Sequence, residues 1–181
     1  MIATIDDRTL ILKRKEQIAD LLVDSWPNSN AWQGRQEAIE EVEDSLKQDK
    51  PRASIVAVDG DELIGWIAGA EFYAKVFEIH PLVVKHARQK SGVGRMLLRA
   101  FERKAKELGF SSVFAGSDDT DCSTSLGGVE LYPNALEKLA KIRNRKGHPY
   151  EFYVRCGYEL VGVLPDANGK GKPDIYLAKS T

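Results

Sequence analysis

The sequence predicts an α/β (α+β) chain, a mixed sheet with helices on both sides, and three observations predict it. An apolar strand at 78–84 passes through a short basic loop with glycines at 92 and 94 into an amphipathic helix that runs to Leu108. A hairpin precedes that unit, marked by the tight-turn triplet Asp59-Gly60-Asp61 between β-rich segments. The remainder of the 181 residues alternates strand and helix patterns.

Taken in order, residues 2–5 read as a short strand and residues 9–26 as a helix. Its Ile11, Leu12, Ile18, Ala19, Leu21, Leu22 and Trp26 face inward, and Pro27 ends it. A second helix over 35–47 is apolar through Ala38, Ile39, Val42 and Leu46. Its acidic run of Glu37, Glu40, Glu41, Glu43 and Asp44 reads as a solvated face. Residues 54–58 and 63–72 form the hairpin and feed the central strand.

The helix after residue 92 is specified by Val93, Leu97, Ala100, Phe101, Ala105 and Leu108 at helical spacing, with Arg95, Arg99, Glu102, Arg103 and Lys106 on the other face. Gly109 stops it. A strand at 112–116, a polar loop at 117–121 and a helical stretch at 133–143 follow. A short helix at 149–157 begins at a proline and ends at a glycine, and strands at 160–164 and 175–178 close the chain.

Hydrophobic residues make up 43% of the chain, and no linker or internal repeat interrupts it, which predicts a single domain over 1–181. Against 27 acidic residues stand 26 basic ones, a balance that argues against a nucleic-acid partner held by bulk charge. The N-terminus lacks a basic start followed by an apolar core, and no apolar run approaches the ~20 residues of a membrane span. The expectation is a cytoplasmic protein without a membrane partner, acting on a small molecule. Cys122 and Cys156 form no Cys-x-x-Cys pair and sit at no metal-ligand spacing from His80, His86 or His148, so neither a disulfide framework nor a metal is expected.

Glycines at 92 and 94 strip side chains from a helix start, where backbone N–H groups and the positive end of the dipole can close around a phosphate. The segment lacks the Walker lysine pattern and the third glycine of a dinucleotide loop. Gln89-Lys90-Ser91-Gly92-Val93-Gly94 resembles the acetyl-CoA loop of the GNAT N-acetyltransferase superfamily, Gln/Arg-x-x-Gly-x-Gly/Ala. Phe152-Tyr153 with Gly157-Tyr158 resembles the superfamily's second signature. The runs at 78–84, 148–153, 162–169 and 172–175 are similar to aminoglycoside 6'-N-acetyltransferases of the Enterococcus-like chromosomal type. The resemblance implies a GNAT fold, with a mostly antiparallel central sheet splayed at its central strand. It also implies acetyl transfer from acetyl-CoA to an aminoglycoside 6'-amine in a ternary complex, with antibiotic resistance as the outcome, and a homodimer. Another small polyamine, a peptide amine, or a non-catalytic CoA-binding regulator are the alternatives.

Acetyl transfer to an amine needs a neutral amine, a donor for the developing oxyanion and a proton for the departing thiolate. Glu78 and, two residues on, His80 share a strand face, and either could take the proton, Glu78 being the first choice because it also binds a cation. Pro81 has no N–H and disrupts the ladder, which would leave the Leu82 N–H for the thioester oxygen. Val83 and Val84 would pair with the pantetheine arm as an added strand does. Gln89, Lys90, Ser91, Gly92, Val93, Gly94 and Arg95 make the pyrophosphate cradle, with Arg88 a further candidate for the phosphates. Tyr153, a phenol protonated at neutral pH, is the candidate acid. Asp118 and Asp119, with Asp121 and Glu130 behind them, would form an anionic wall for a polycationic sugar, and Trp26 would pack on a sugar ring.

Overall fold

The computed structural model describes residues 1–26, 32 and 34–181, so the helix stop assigned to Pro27 lies outside the described residues. The chain divides into two compact units, Met1–Val113 with Thr181, and Phe114–Ser180.

The first unit contains β1 (Ile2–Ile5), α1 (Arg8–Lys13), α2 (Lys15–Ser25), α3 (Arg35–Asp44), β2 (Arg52–Asp59), β3 (Glu62–Tyr73), β4 (Val76–Val84) and α4 (Val93–Glu107). Strands β1 to β4 make an antiparallel meander in sequence order. The helix expected over 9–26 is two helices. Asp7 caps α1 by accepting from the Leu10 N–H at 2.8 Å, and the chain leaves helical geometry at Arg14, whose guanidinium donates to the Asp61 carbonyl at 2.8 Å. The buried Ile11 and Ile18 lie on either side of this break, a spacing that a continuous helix would also give.

One sheet face carries α1, α2 and α3. Ile11, Ile18, Leu22, Ala38 and Val42 bury against Val56, Trp66, Ala68 and Val83, each large side chain contributing ~1.5–3 kcal/mol before the entropy of ordering is subtracted. A buried polar chain fixes α3 to this face. The Trp66 Nε1–H donates to Ser54 Oγ at 2.9 Å, Ser54 and Ser45 share a hydrogen bond at 3.0 Å, and the Ser45 hydroxyl donates to the Val42 carbonyl at 2.6 Å. The opposite face carries α4, with Phe77 packed between Phe101 and Phe110 at ring separations of 5.0 and 4.7 Å.

Gly69 shows how tightly β3, β4 and α4 meet. A Cβ there would lie 1.8 Å from the Glu78 carbonyl oxygen and 2.6 Å from Phe101 Cζ. At the neighbouring Ala68 the ladder slips: Ile79 pairs with Gly69 and Leu82 with Ile67, so His80 and Pro81 together oppose Ala68. The His80–Pro81 peptide is cis.

The second unit holds most of β5 (Ser112–Asp118), then α5 (Ala135–Leu139), α6 (Tyr150–Arg155), β6 (Glu159–Leu164) and β7 (Asp174–Ser180). An antiparallel hairpin joins β6 to β7. The helix expected over 133–143 stops at Leu139. Beyond it, Ser125 donates its N–H to the Arg143 carbonyl at 2.8 Å and accepts the Arg143 N–H on its hydroxyl at 2.9 Å, while Thr124 bridges to Asn144. These contacts draw the chain into an extended path that helical periodicity does not reveal. Among the described residues no helix is long and apolar enough to cross a membrane.

Candidate active site

In the first unit, the face of β4 that looks toward α3 carries Glu78 and His80, as their two-residue spacing predicts. Phe77 and Ile79, which alternate with them, are buried on the α4 side, Glu78 is half-buried, and the His80 side chain is 62% exposed. Burial pushes the Glu78 carboxyl above its ordinary range, opposed by the charges of His80 and Lys50. A carboxylate made more basic by its surroundings is suited to accept a proton.

The ladder slip sorts the residues that follow. Leu82 pairs with Ile67 on the α4 face, whereas Val83 pairs with Trp66 and packs into the α1–α3 core. Val84 ends the strand, and its carbonyl accepts from Gln89 Nε2 at 3.2 Å, closing the loop back onto β4.

Within that loop Lys90 and Gly92 both have positive φ, 60° and 93°. Lys90 and Ser91 are exposed, and the Ser91 hydroxyl donates to the Arg88 carbonyl at 2.6 Å. Val93 is buried and starts α4, Gly94 and the exposed Arg95 follow it, and the first intrahelical bond runs from the Met96 N–H to the Gly92 carbonyl. The Val93 and Gly94 amides therefore precede the helical ladder, the arrangement that suits an anion. A Cβ on Gly92 would touch nothing within 4 Å, so it is the backbone angle that calls for glycine there. Arg88 is otherwise engaged: its guanidinium meets Asp59 at 3.2 Å and Glu62 at 2.7 Å, and Lys85 meets the same Glu62 at 2.5 Å. It fastens the loop to the β2–β3 turn.

The second unit holds Asp118, Asp119 and Tyr153, and the two aspartates differ sharply. Asp118 is exposed, with Oδ1 accepting from Asn168 Nδ2 at 2.5 Å. Its carbonyl faces His148 Nε2 at 3.1 Å. Because His148 Nδ1 accepts the Tyr150 N–H at 3.2 Å, Nε2 carries the proton and donates. Asp119 is 0% exposed, and its carboxylate accepts from the Ser123 N–H, the Thr124 N–H and both their hydroxyls at 2.6–3.3 Å. Burial would raise its pKa, but the bonds from Thr124 and Ser123 outweigh that and hold it below the ordinary range. Asp119 is thus a loop staple with no oxygen facing solvent, which corrects its expected place in an anionic wall. Tyr153 is 8% exposed and packs edge-on against Phe152 and Tyr158, at 5.3 and 5.5 Å, and burial raises its phenol well above the usual value.

Within the first unit, two residues that the sequence did not single out lie beside His80 of β4. The Trp32 ring lies 5.3 Å from Trp26 and 6.3 Å from the His80 ring, and Glu41 Oε1 stands 3.8 Å from His80 Nε2. Trp26 is itself exposed beside Trp32. The signal for Trp32 was a second tryptophan six residues after the first. Glu41 is one of five acidic residues on one helix, and nothing in one dimension separates it from the rest.

The model of the acetyltransferase (GNAT) family matches residues 15–134. A crystal structure of an aminoglycoside 6'-N-acetyltransferase complexed with coenzyme A, and one of the aminoglycoside 6'-N-acetyltransferase from Enterococcus faecium, are each 38% identical to this chain. Both comparisons cover 99% of this chain and 96% of the other, with a TM-score of 0.85. The structure of aminoglycoside 6'-acetyltransferase type Ii is 34% identical over the same shares, with a TM-score of 0.72. No curated protein sequence matches the chain.

Proposed function

The chain belongs to the GNAT acetyltransferase family, and from that premise we propose that it transfers the acetyl group of acetyl-CoA to the 6'-amine of an aminoglycoside, by direct attack in a ternary complex. The observation that carries this reading is the 38% identity, sustained over 99% of the chain, to proteins described as aminoglycoside 6'-N-acetyltransferases.

In this proposal Glu78 holds the substrate ammonium and takes its proton, directly or through water, with His80 beside it as the alternative base. The freed amine attacks the thioester carbonyl, and the Leu82 N–H donates to the oxygen as charge develops there. The C–S bond then breaks, and Tyr153, kept protonated by its raised pKa, returns a proton to the thiolate. Val83 and Val84 pair with the pantetheine arm, and the loop Gln89 to Arg95 receives the pyrophosphate. Asp118 and Trp26 contact the sugar. The chemistry as written needs no metal ion. A single catalytic domain over 1–181, assembly as a homodimer, a cytoplasmic location and a role in resistance belong to the same proposal.

The test is release of CoA thiol from acetyl-CoA across a panel of aminoglycosides, linear polyamines and peptide amines. Turnover with aminoglycosides, and acetylation at the 6'-nitrogen by NMR, is the expected result. Turnover confined to polyamines or peptides would overturn the substrate, and binding of acetyl-CoA without turnover on any amine would mark a CoA-binding regulator.

A further inference from the structure

We propose that Glu41 and Trp32 form a second cation subsite beside His80, one that selects acceptors carrying several amines; the inference rests on the acetyl-transfer reading above. Packing delivers both residues. Ala38 and Val42 are fully buried on either side of Glu41, and the Ser45–Ser54–Trp66 chain anchors the end of α3 to β2 and β3. Glu41 lies one helical turn before that anchor, its carbonyl accepting the Ser45 N–H at 3.0 Å. Its position is therefore set by the core and not by a mobile surface chain. Trp32 packs against the same core cluster.

The arrangement suits an ammonium group. Glu41 is only 25% exposed, and its Oε1 lies 3.8 Å from His80 Nε2, longer than a hydrogen bond. The Trp32 ring faces the same imidazole at 6.3 Å. A cation in this corner gains Coulomb attraction from a carboxylate that solvent screens incompletely, and an indole face attracts a cation within about 6 Å of its centroid. A hydroxyl at the same position gains neither. With Glu78 on the same strand face as His80, the reacting amine and a second amine of one substrate would each meet a separate carboxylate. Glu40 is the internal control: it carries the same charge on the same helix, but it is exposed and accepts from Gln36 Nε2 at 3.1 Å.

The experiment compares the parent with E41Q, W32L and E40Q, each first shown to be folded by circular dichroism. Two acceptors are used, kanamycin as a multi-amine aminoglycoside and methyl 6-amino-6-deoxyglucoside as its single-amine counterpart. By calorimetry E41Q should bind kanamycin about tenfold more weakly, in the range for losing one charged contact, and W32L should lose about threefold. The single-amine sugar should be unaffected by either, and E40Q should match the parent with both. KM should follow the binding constants while kcat stays put. Equal losses in E41Q and E40Q, equal losses for both sugars, or no loss in E41Q would each overturn the subsite. If neither sugar is acetylated, the acetyl-transfer reading fails, and the calorimetric comparison still decides the subsite by the same criteria.

Discussion

Residues of the same type do opposite work here, and burial decides which. Glu78 is a carboxylate whose pKa is raised because partial burial penalises its charge. Its folded pKa lies above its unfolded value, so the folded state holds the proton longer, and stability falls as pH rises between the two values. Glu78→Gln should therefore unfold at a higher denaturant midpoint than the parent at neutral pH, with the difference vanishing below the ordinary carboxylate range, while acetyl transfer drops by about a hundredfold or more. A lower midpoint at neutral pH would show that the carboxylate is stabilising. Asp119 runs the other way. Its pKa is depressed, so its contribution is present above the unfolded carboxylate value and is lost as pH falls through the folded one. Asp119→Ala leaves the Ser123 and Thr124 donors without their acceptor, and chemical denaturation should show a loss of about 2–4 kcal/mol. The sequence presents Asp118 and Asp119 as interchangeable neighbours in a polar loop. Only the hydroxyl residues Ser123 and Thr124, four and five positions on, hint that one of them is consumed by the backbone.

At the scale of elements, the hairpin, the central strand and α4 were legible because each repeats one period over many residues with clear turn signals. The break at Arg14 was not, since buried Ile11 and Ile18 keep helical phase across it. Nor was the end of α5, which is set by pairing with residues eighteen and twenty positions upstream. The contact between β3 and β4 is of the same kind: Gly69 is an unremarkable strand glycine in the sequence, yet its missing Cβ admits the Glu78 carbonyl and the Phe101 ring. Gly69→Ala must push β4 or α4 aside and should cost about 2–4 kcal/mol by denaturation. Because the carbonyl in the way belongs to Glu78, kcat should fall even in the fraction that folds. A Gly69→Ala protein with unaltered midpoint and kcat would mean that the strands separate there without consequence.

For the whole molecule, a formal net charge of −1 gives no bulk field to gather a polycation, so attraction must come from local groups. KM for an aminoglycoside should then rise as added salt shortens the Debye length below its ~8 Å at physiological strength, while KM for a single-amine sugar changes less. Equal salt dependence for both would mean that the additional amines meet no local carboxylate. The slip at Ala68 has a separate consequence. A β-strand counts in twos, and at His80–Pro81 this one counts three, so residues before and after the slip follow opposite parities. Deleting a single residue there would remove the bulge and restore the even count, leaving Leu82 opposite Ile67 on the α4 face and Val83 opposite Trp66 on the other. Deleting both would set Leu82 directly after Ile79 and turn Leu82 toward α3 and Val83 toward α4, exchanging every later contact of β4. The strand therefore carries one spare residue, and only at the slip: removing His80 or Pro81 alone should leave soluble protein, and removing both should give insoluble protein.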